Sequence, residues 1–483
     1  MKRIFYSFIF LVIASLAFVS CDVESYLSEP QPTDEVAGSV VTPELALVGM
    51  YGAYRDFYGG AHDVATSKSF DLGSEVMGRD LQVPDFNWYI FEHRWDVVAS
   101  ANARRNVYIW EMFYKLVFHA NNVMYVLDIN SDGMSQDRID AYRGQALSMR
   151  ALAFYNLVRT FQFTYAKNPN LPGIPLDLSV ADAVGKPRGT VQQVYDQIYS
   201  DLNEAISLLG TNRFGDKYRV NVNVAKGIFA RVALEKQDYT RAQQMAADAQ
   251  VGFPLMDNTT YVAGFNDYNN AEWLWGFPFI ASENWGFASF YSFIDHDRAA
   301  GYKDIFINSD FYNLFGANDI RRSLIVTTGQ TLASGKMYRT RKFRDVSDLT
   351  GNLVCMRASE MKLIEIEAKA HSNLVGAKQD LLTFQLLRDP DAVLSTAADL
   401  NTFIDEVLVE RRKELYGEIG VDFYDMKRHQ KSMQRVGNAT RAVVGYGIFD
   451  VVPATSNNWN MLIPQREIDL NPNISQSDQN PVD

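Results

Sequence analysis

The sequence predicts a mainly α-helical fold, a scaffold of tetratricopeptide-like helical hairpins interrupted by irregular, loop-rich segments with short strands. The first observation is that apolar residues recur every three to four positions in several segments, as they do on the buried face of a helix. One such stripe contains Leu147, Ala151, Phe154, Tyr155, Val158 and Phe161. The second observation is that this period is lost over residues 253–338, where Gly, Asn, Trp, Phe and Tyr are frequent. That composition indicates loops and short strands.

A third observation is a helix–turn–helix pattern over residues 225–249. Small residues alternate with aromatic ones on both predicted helices, and Lys236-Gln237-Asp238 lies between them. Hairpins of this kind, with repeats of about 34 residues, bury little apolar surface alone and are stable only when stacked. The pattern therefore predicts a helical solenoid.

The remaining elements follow from the same spacing. A helix begins at Glu44, and an aromatic-rich loop covers residues 58–95. Further helical patterns cover residues 104–127, 147–161, 194–209, 225–249, 357–374 and 398–416. The tail after Gly417 is rich in proline and is predicted to be irregular.

The N-terminus has the pattern of an export signal. Lys2 and Arg3 precede an apolar run that ends at Ser20-Cys21, and this run is shorter than the roughly 20 residues that span a bilayer. Residues 1–20 are therefore predicted to be a signal peptide. Cys21 resembles the lipidated cysteine of a bacterial lipobox; an ordinary secretory signal with an incidental cysteine is the alternative. Residues 21–43, with Pro30, Pro32 and Pro43, are predicted to be a flexible spacer.

Composition excludes several classes of function. Apolar residues make up 47% of the chain, which excludes a disordered protein, and the net charge of −12 argues against nucleic acid as a partner. With Cys21 lipidated, Cys355 has no partner for a disulfide, and its apolar neighbours favour a buried, inert thiol. No cofactor is expected.

Motifs for catalysis or metal binding are weak. No histidine pair has zinc-protease spacing, and no glycine-x-serine-x-glycine elbow occurs. Asp128, Asn130 and Asp132 copy the start of a calcium loop, but Ile139 stands where such loops need a bidentate glutamate. A helix-terminating turn explains these residues better. Paired carboxylates could suggest a glycosidase, but ion-paired scaffold positions are favoured for Glu360, Glu365, Glu367, Glu410 and Glu414.

Six segments in order resemble the SusD/RagB family of outer-membrane lipoproteins of Bacteroidetes-type bacteria. The segments lie at residues 150–159, 194–205, 225–242, 357–368, 410–428 and 463–472, and include Arg150, Asp201, Arg231, Glu360, Glu410, Asp425, Arg428 and Glu467. One departure is the insertion Gly417-Glu418-Ile419-Gly420-Val421, where the family usually has glutamate-glycine-x-arginine. The charged network at this point is therefore expected to differ in detail.

The resemblance implies one SusD-like α/α superhelix over residues 44–483. Its helical scaffold would lie mainly at 104–250 and 357–428, with irregular ligand-side segments mainly at 55–100 and 253–340. It further implies a non-catalytic lipoprotein on the outer face of the outer membrane. This lipoprotein would capture oligosaccharide and deliver it to a SusC-like TonB-dependent transporter. Peptide binding, a surface glycosidase and a purely recruiting scaffold are the alternatives.

Aromatic and polar residues in the irregular segments are the candidate ligand contacts. Sugars stack their apolar C–H faces on aromatic rings while polar groups bind the hydroxyls. The candidates are Asp71, Arg79, Asn87, Trp88, Trp95, Asn284, Trp285, Phe287 and Tyr291. Trp273 and Trp275 alternate on a predicted strand, and Trp110 lies on a helix, so these three are predicted to be core residues.

Overall fold

The computed structural model describes residues 41–55, 60–211, 216–283, 285–345, 350–437 and 450–483. The helices are α1 Pro43–Arg55, α2 Ser67–Met77, α3 Ile90–His93, α4 Arg104–Ile129, α5 Gln136–Phe161, α6 Val191–Leu209, α7 Val222–Lys236, α8 Tyr239–Ala249, α9 Asn258–Ala263, α10 Phe290–Ile294, α11 Ser309–Tyr312, α12 Ala358–Ala370, α13 Leu374–Gln385, α14 Leu400–Leu415, α15 Val421–Arg428 and α16 Gln465–Leu470. The strands are β1 Leu81–Gln82, β2 Pro172–Pro175, β3 Arg188–Thr190, β4 Trp273–Phe277, β5 Phe306–Ile307, β6 Ile325–Val326, β7 Arg339–Thr340, β8 Leu353–Arg357, β9 Met433–Gln434 and β10 Val451–Val452. The predicted signal peptide and Cys21 lie outside the described residues. Within the described part, no helix is both long and apolar enough to cross a membrane.

The helices stack side by side in chain order, which confirms the prediction of a mainly α-helical hairpin scaffold. α4 packs on α5, α5 on α6, α6 on α7, and α7 on α8. The stack then continues across the irregular region, because α8 packs on α12. Helix α13, which the sequence pattern did not predict, packs against α12 and α14.

Helix α6 shows how local sequence specifies these elements. The Thr190 hydroxyl accepts a hydrogen bond from the backbone N–H of Gln193, and the Gln193 side chain accepts one from the Thr190 N–H. This capping box satisfies donors that a helix start otherwise leaves unpaired. The apolar stripe that begins at Val191 is buried, and the helix ends at Leu209, followed by the capping residue Gly210 with φ of 55°.

The hairpin formed by α7 and α8 turns where the sequence predicts. Gln237 has φ of 64°, a left-handed conformation that reverses the chain within two residues. The Asp238 carboxylate then accepts the backbone N–H of Arg241 and caps α8.

Strands β4 and β8 form an antiparallel pair that anchors the irregular region to the scaffold. Trp273 and Trp275 are fully buried on β4, and Trp110 is buried on α4, so their predicted core role is confirmed. Cys355 is a buried free thiol on β8, and burial raises the pKa of this thiol to about 12. A thiol with such a pKa is inert at neutral pH, as the sequence suggested.

Buried ion pairs join the recognisable sequence segments to one another. The Arg150 guanidinium on α5 binds the Asp201 carboxylate on α6 at 2.7 Å, and Arg231 on α7 binds Glu360 on α12 at 2.6 Å. The first pair links α5 to α6, and the second links α7 to α12 across the irregular region. The other acidic residues of these segments are also paired: Glu367 with Arg428, Glu410 with Arg321, Glu414 with Arg357, and Glu365 with Lys362. The predicted scaffold role of these carboxylates is confirmed.

The inserted segment after α14 contributes to this network. Glu418 binds Arg357 at 2.8 Å and Lys342 at 2.6 Å, so the insertion supplies a further buried carboxylate. Gly417 has φ of 78°, and a Cβ atom there would lie 2.5 Å from the Phe343 ring. Glycine is therefore required at the bend that directs Glu418 inward.

Glu75 on α2 is expected to make the stability depend on pH. Its carboxyl group accepts the backbone N–H groups of Gly420 and Val421, and burial, followed by the Asp80 carboxylate, raises the pKa of Glu75 from 4.5 to about 8. The folded protein thus retains this proton up to about pH 8, whereas the unfolded chain loses it from about pH 4.5. Stability contributed by the protonated form is lost as pH rises through this window.

We expect a Glu75→Gln variant to isolate this effect, because glutamine cannot ionise and the other groups are common to both proteins. Relative to the variant, the wild type should lose about 1 kcal/mol of unfolding free energy per pH unit as the pH rises from about 5 to about 8, then level off. Urea unfolding of both proteins across this range measures the difference. A difference that stays constant with pH would contradict the raised pKa of Glu75.

Candidate functional site

Four aromatic side chains from separate loops meet at the surface, and we call them the aromatic platform: His62, Trp88, Phe287 and Tyr302. The His62 and Trp88 rings stack with centroids 5.3 Å apart, and Tyr302 meets Trp88 edge-on at 5.8 Å. Phe287 extends the platform, with its ring 5.4 Å from Tyr302 and 47% of the residue exposed. The other three residues are half-buried.

The platform rings are held in place by a hydrogen bond and by a buried ring beneath Tyr302. The Tyr302 hydroxyl and His62 Nδ1 are 2.7 Å apart, within hydrogen-bond distance. The Tyr302 ring also stacks on buried Phe293 at 5.4 Å. These contacts fix the ring orientations before any ligand arrives, which reduces the entropy cost of binding.

The charged side chain nearest the platform, Arg104, is paired with a carboxylate. Arg104 lies over the Trp88 ring, with its guanidinium carbon 5.5 Å from the centroid, and donates to the Asp63 carboxylate at 2.6 Å. Asp304, two residues after Tyr302, is buried and neither carboxyl oxygen makes a hydrogen bond within the described residues. Burial, with a smaller effect of Asp63 and Asp85, raises the pKa of Asp304 well above its usual value. The platform therefore combines aromatic rings with an arginine that is held by a carboxylate.

Of the predicted contact residues, Trp88 and Phe287 belong to the platform. Asn87 adjoins it, and its side-chain oxygen accepts the Trp88 backbone N–H at 2.9 Å. Trp285 is half-buried and lines a small separate cavity beside Phe279 and Phe290. Asn284 lies outside the described residues.

Four other predicted ligand contacts, Trp95, Tyr291, Arg79 and Asp71, are not part of the platform. For Trp95 and Tyr291 the prediction of ligand contact is wrong, because both side chains are buried in the core. Trp95 is fully buried, and its indole N–H donates to the Met77 carbonyl at 2.8 Å. Tyr291 is 1% exposed, and its hydroxyl donates to the carbonyls of Phe265 and Asn352. Both rings fill the core because their polar atoms have backbone partners there.

Arg79 and Asp71 are engaged in structural ion pairs instead of facing the platform. The Arg79 guanidinium forms a forked contact with the buried Asp422 carboxylate, at distances down to 2.6 Å. Asp71 accepts from Lys68 at 3.0 Å and lines an internal cavity of about 50 Å³. Both side chains therefore contribute to the scaffold, and their role as ligand contacts stays a prediction.

The sequence prediction missed His62, Tyr302 and Arg104. Histidines were considered there only as metal ligands, and Tyr302 lies in a segment with no periodic pattern. The sequence contained one signal for His62 and Tyr302, which is that they lie within the two irregular segments. Their contact could not be predicted because the two residues are far apart in the sequence.

The calcium-like turn is built as a helix end. Asp128 lies near the end of α4, is largely exposed and binds Arg143 at 2.5 Å. Asn130 is the C-terminal cap of α4, and Asp132 follows in the turn. Among the described residues, no group of three or more His, Cys, Asp or Glu side chains could hold a metal ion.

The fold and this surface define a class: a stacked helical scaffold that presents a rigid aromatic platform on its irregular segments. Comparison with known proteins identifies the family. A family described as starch-binding associating with outer membrane matches residues 53–234, and the SusD family matches residues 316–482. The chain belongs to the SusD/RagB family, as the sequence motifs indicated.

Known relatives agree with this assignment. The chain is 24% identical to SusD-like protein P2 of Formosa agariphila over 262 residues, which is 50% of this chain and 49% of that protein. The chain thus spans about half the length of the curated relative it matches. A crystal structure of a SusD-like carbohydrate binding protein from Bacteroides vulgatus superposes with a TM-score of 0.80 at 22% identity, covering 91% of this chain and 98% of that one. A SusD superfamily protein from Bacteroides thetaiotaomicron gives 0.78 at 25% identity, covering 91% and 100%.

Proposed function

We propose that this protein is a non-catalytic, glycan-binding lipoprotein that captures oligosaccharide on the aromatic platform. The observation that carries the proposal is that the four rings of the platform come from separate loops and form one partly exposed surface. Their mutual contacts already hold the rings in position. Flat rings of this kind match the C–H faces of sugar rings, and edge-lining polar groups match the hydroxyls. The family match and the carbohydrate-binding description of the Bacteroides vulgatus relative support the same ligand class.

The proposal includes a location and a partner. Basic residues, an apolar run and Ser20-Cys21 follow one another at the N-terminus, and this order supports lipidation at Cys21. The acidic residues Asp22 and Glu24 resemble the signal that directs lipoproteins to the outer face of the outer membrane. Family membership supports the proposal that the ligand is delivered to a SusC-like TonB-dependent transporter. Co-purification of such a transporter with the full-length protein from detergent-solubilised outer membranes tests the partnership.

Calorimetry on the purified chain from residue 22 onward tests the ligand class. The panel consists of neutral α- and β-linked oligosaccharides, each as a disaccharide and a hexasaccharide, together with unrelated peptides of similar length. Saturable binding of at least one hexasaccharide is expected, because a longer chain covers more of the platform. Binding of peptides with no glycan binding would replace this proposal with the peptide-binding alternative.

A further inference from the structure

A groove lies between the middle of α4, the segment after β2 and the short helix α16, and we call it the α4–α16 groove. Its volume is about 420 Å³. Tyr114 and Phe118, one turn apart on α4, line it with aromatic rings. Val184 and Leu470, which are 77% and 68% exposed, add apolar surface. Pockets of about 300–1,000 Å³ hold small ligands, so the groove has room for a few side chains.

Asp177 contributes a carboxylate without a partner to this groove. The residue is half-buried, and within the described residues its side chain accepts no hydrogen bond and forms no ion pair. Its Oδ1 is buried, so Oδ2 is the accessible oxygen. The other carboxylate of the groove, Glu467, accepts from Trp110 Nε1 at 3.2 Å and from Asn471 Nδ2 at 2.7 Å. Asp177 is therefore the acidic side chain of the groove that a ligand can pair.

The charges around Asp177 favour a cation. Burial raises the pKa of Asp177 to about 7, and the carboxylates of Asp182 and Glu467 act in the same direction. The ammonium group of Lys186 opposes them with a smaller effect, and it is itself paired with Asp182 at 2.9 Å. Lys115 also lines the groove. A positive ligand group beside Asp177 would offset the repulsion among these carboxylates.

We propose that the α4–α16 groove binds a lysine side chain of an extended peptide segment, with the ammonium group on Asp177 Oδ2. The apolar stem of lysine matches the rings of Tyr114 and Phe118, and aromatic faces attract an ammonium group. One accessible carboxylate oxygen suits a compact ammonium better than the two-pronged guanidinium of arginine. An amino sugar would place its hydroxyls against Val184 and Leu470, where they would lose hydrogen bonds to water. No residue of the aromatic platform lines this groove, so the inference is independent of the glycan proposal.

Calorimetry on the purified chain from residue 22 onward, with the capped peptide Leu-Ser-Lys-Ser-Leu, tests this site. Residues two apart in an extended peptide point to the same side, so both leucines can reach the apolar lining when the lysine enters. We expect saturable binding at pH 8, and binding about tenfold weaker for the peptide with norleucine, which keeps the stem without the charge, in place of lysine. Binding of the lysine peptide should weaken about five- to tenfold from pH 8 to pH 6, because Asp177 becomes protonated.

Asp177→Asn removes the charge and keeps the shape of the side chain. It should weaken binding of the lysine peptide by about tenfold, remove the pH dependence and leave the norleucine peptide unaffected. Because Asp177 has no partner in the fold, thermal unfolding of this variant should occur at an unchanged or higher temperature. Asp128→Asn is the matched control, since it makes the same change in net charge at an exposed position near the end of α4. It should leave binding unchanged.

Three results would overturn the inference. The first is equal affinity for the lysine and norleucine peptides, with no effect of Asp177→Asn. The second is binding of a glucosamine oligosaccharide without binding of the lysine peptide, which would assign the groove to an amino sugar. The third is loss of peptide binding in Trp88→Ala, which would place the peptide on the aromatic platform.

Discussion

Replacing Arg357 by methionine is expected to lower the free energy of unfolding by about 3–5 kcal/mol, the cost of breaking a buried ion pair from one side. Arg357 is fully buried and contacts the carboxylates of Glu272, Glu414 and Glu418 at 2.8–3.0 Å. Burial alone raises the pKa of Glu414, but the guanidinium groups of Arg388, Arg357 and Arg321 outweigh it and hold this pKa far below its usual value. Without Arg357, three buried carboxylates lose a shared partner.

Urea denaturation measures this loss, and the chain offers a matched control. Arg341 also pairs with a carboxylate, that of Asp297, but its side chain is 45% exposed. Arg341→Met should therefore cost less than about 1 kcal/mol. Equal and small effects for both variants would show that the buried network contributes little to stability.

Removing the Trp88 side chain is expected to weaken glycan binding by about 2 kcal/mol, or about 30-fold, as for a central aromatic contact in a binding site. Trp88 contacts His62, Tyr302 and Arg104, so it connects the rings of the platform to its charged edge. Phe287→Ala should weaken binding less, because Phe287 contacts only the Tyr302 side of the platform. Calorimetry with the best glycan of the panel measures both variants.

Tyr125→Ala is the control for these aromatic substitutions. Tyr125 is 48% exposed on α4 and makes no ring contact with the platform residues. Its replacement should leave affinity unchanged. Loss of affinity in Tyr125→Ala but not in Trp88→Ala would show that the glycan binds outside the platform.

The scaffold could be predicted from the sequence because its determinants are local. The apolar stripe of α6, the cap at Thr190 and the turn at Gln237 each specify their own segment. The boundary between β8 and α12 could not be predicted from the local sequence. The predicted helix began at Arg357, but this residue ends a strand because β8 pairs with β4, which lies about 80 residues earlier in the chain.

The site could be predicted only at the level of segments. Both irregular segments do contribute rings to the platform, through Trp88 and Phe287. Composition could not distinguish these rings from Trp95 and Tyr291, because burial depends on distant partners such as Trp459 and Asn352. His62 and Tyr302 were missed for the same reason: their hydrogen bond joins positions 240 residues apart.

A crystal structure of the protein with the tightest-binding hexasaccharide of the panel tests the central claim most directly. The account predicts sugar rings stacked on Trp88, Tyr302 and Phe287. Sugar bound instead at another surface, such as the groove lined by Phe118 and Leu470, with the platform unoccupied, would contradict it.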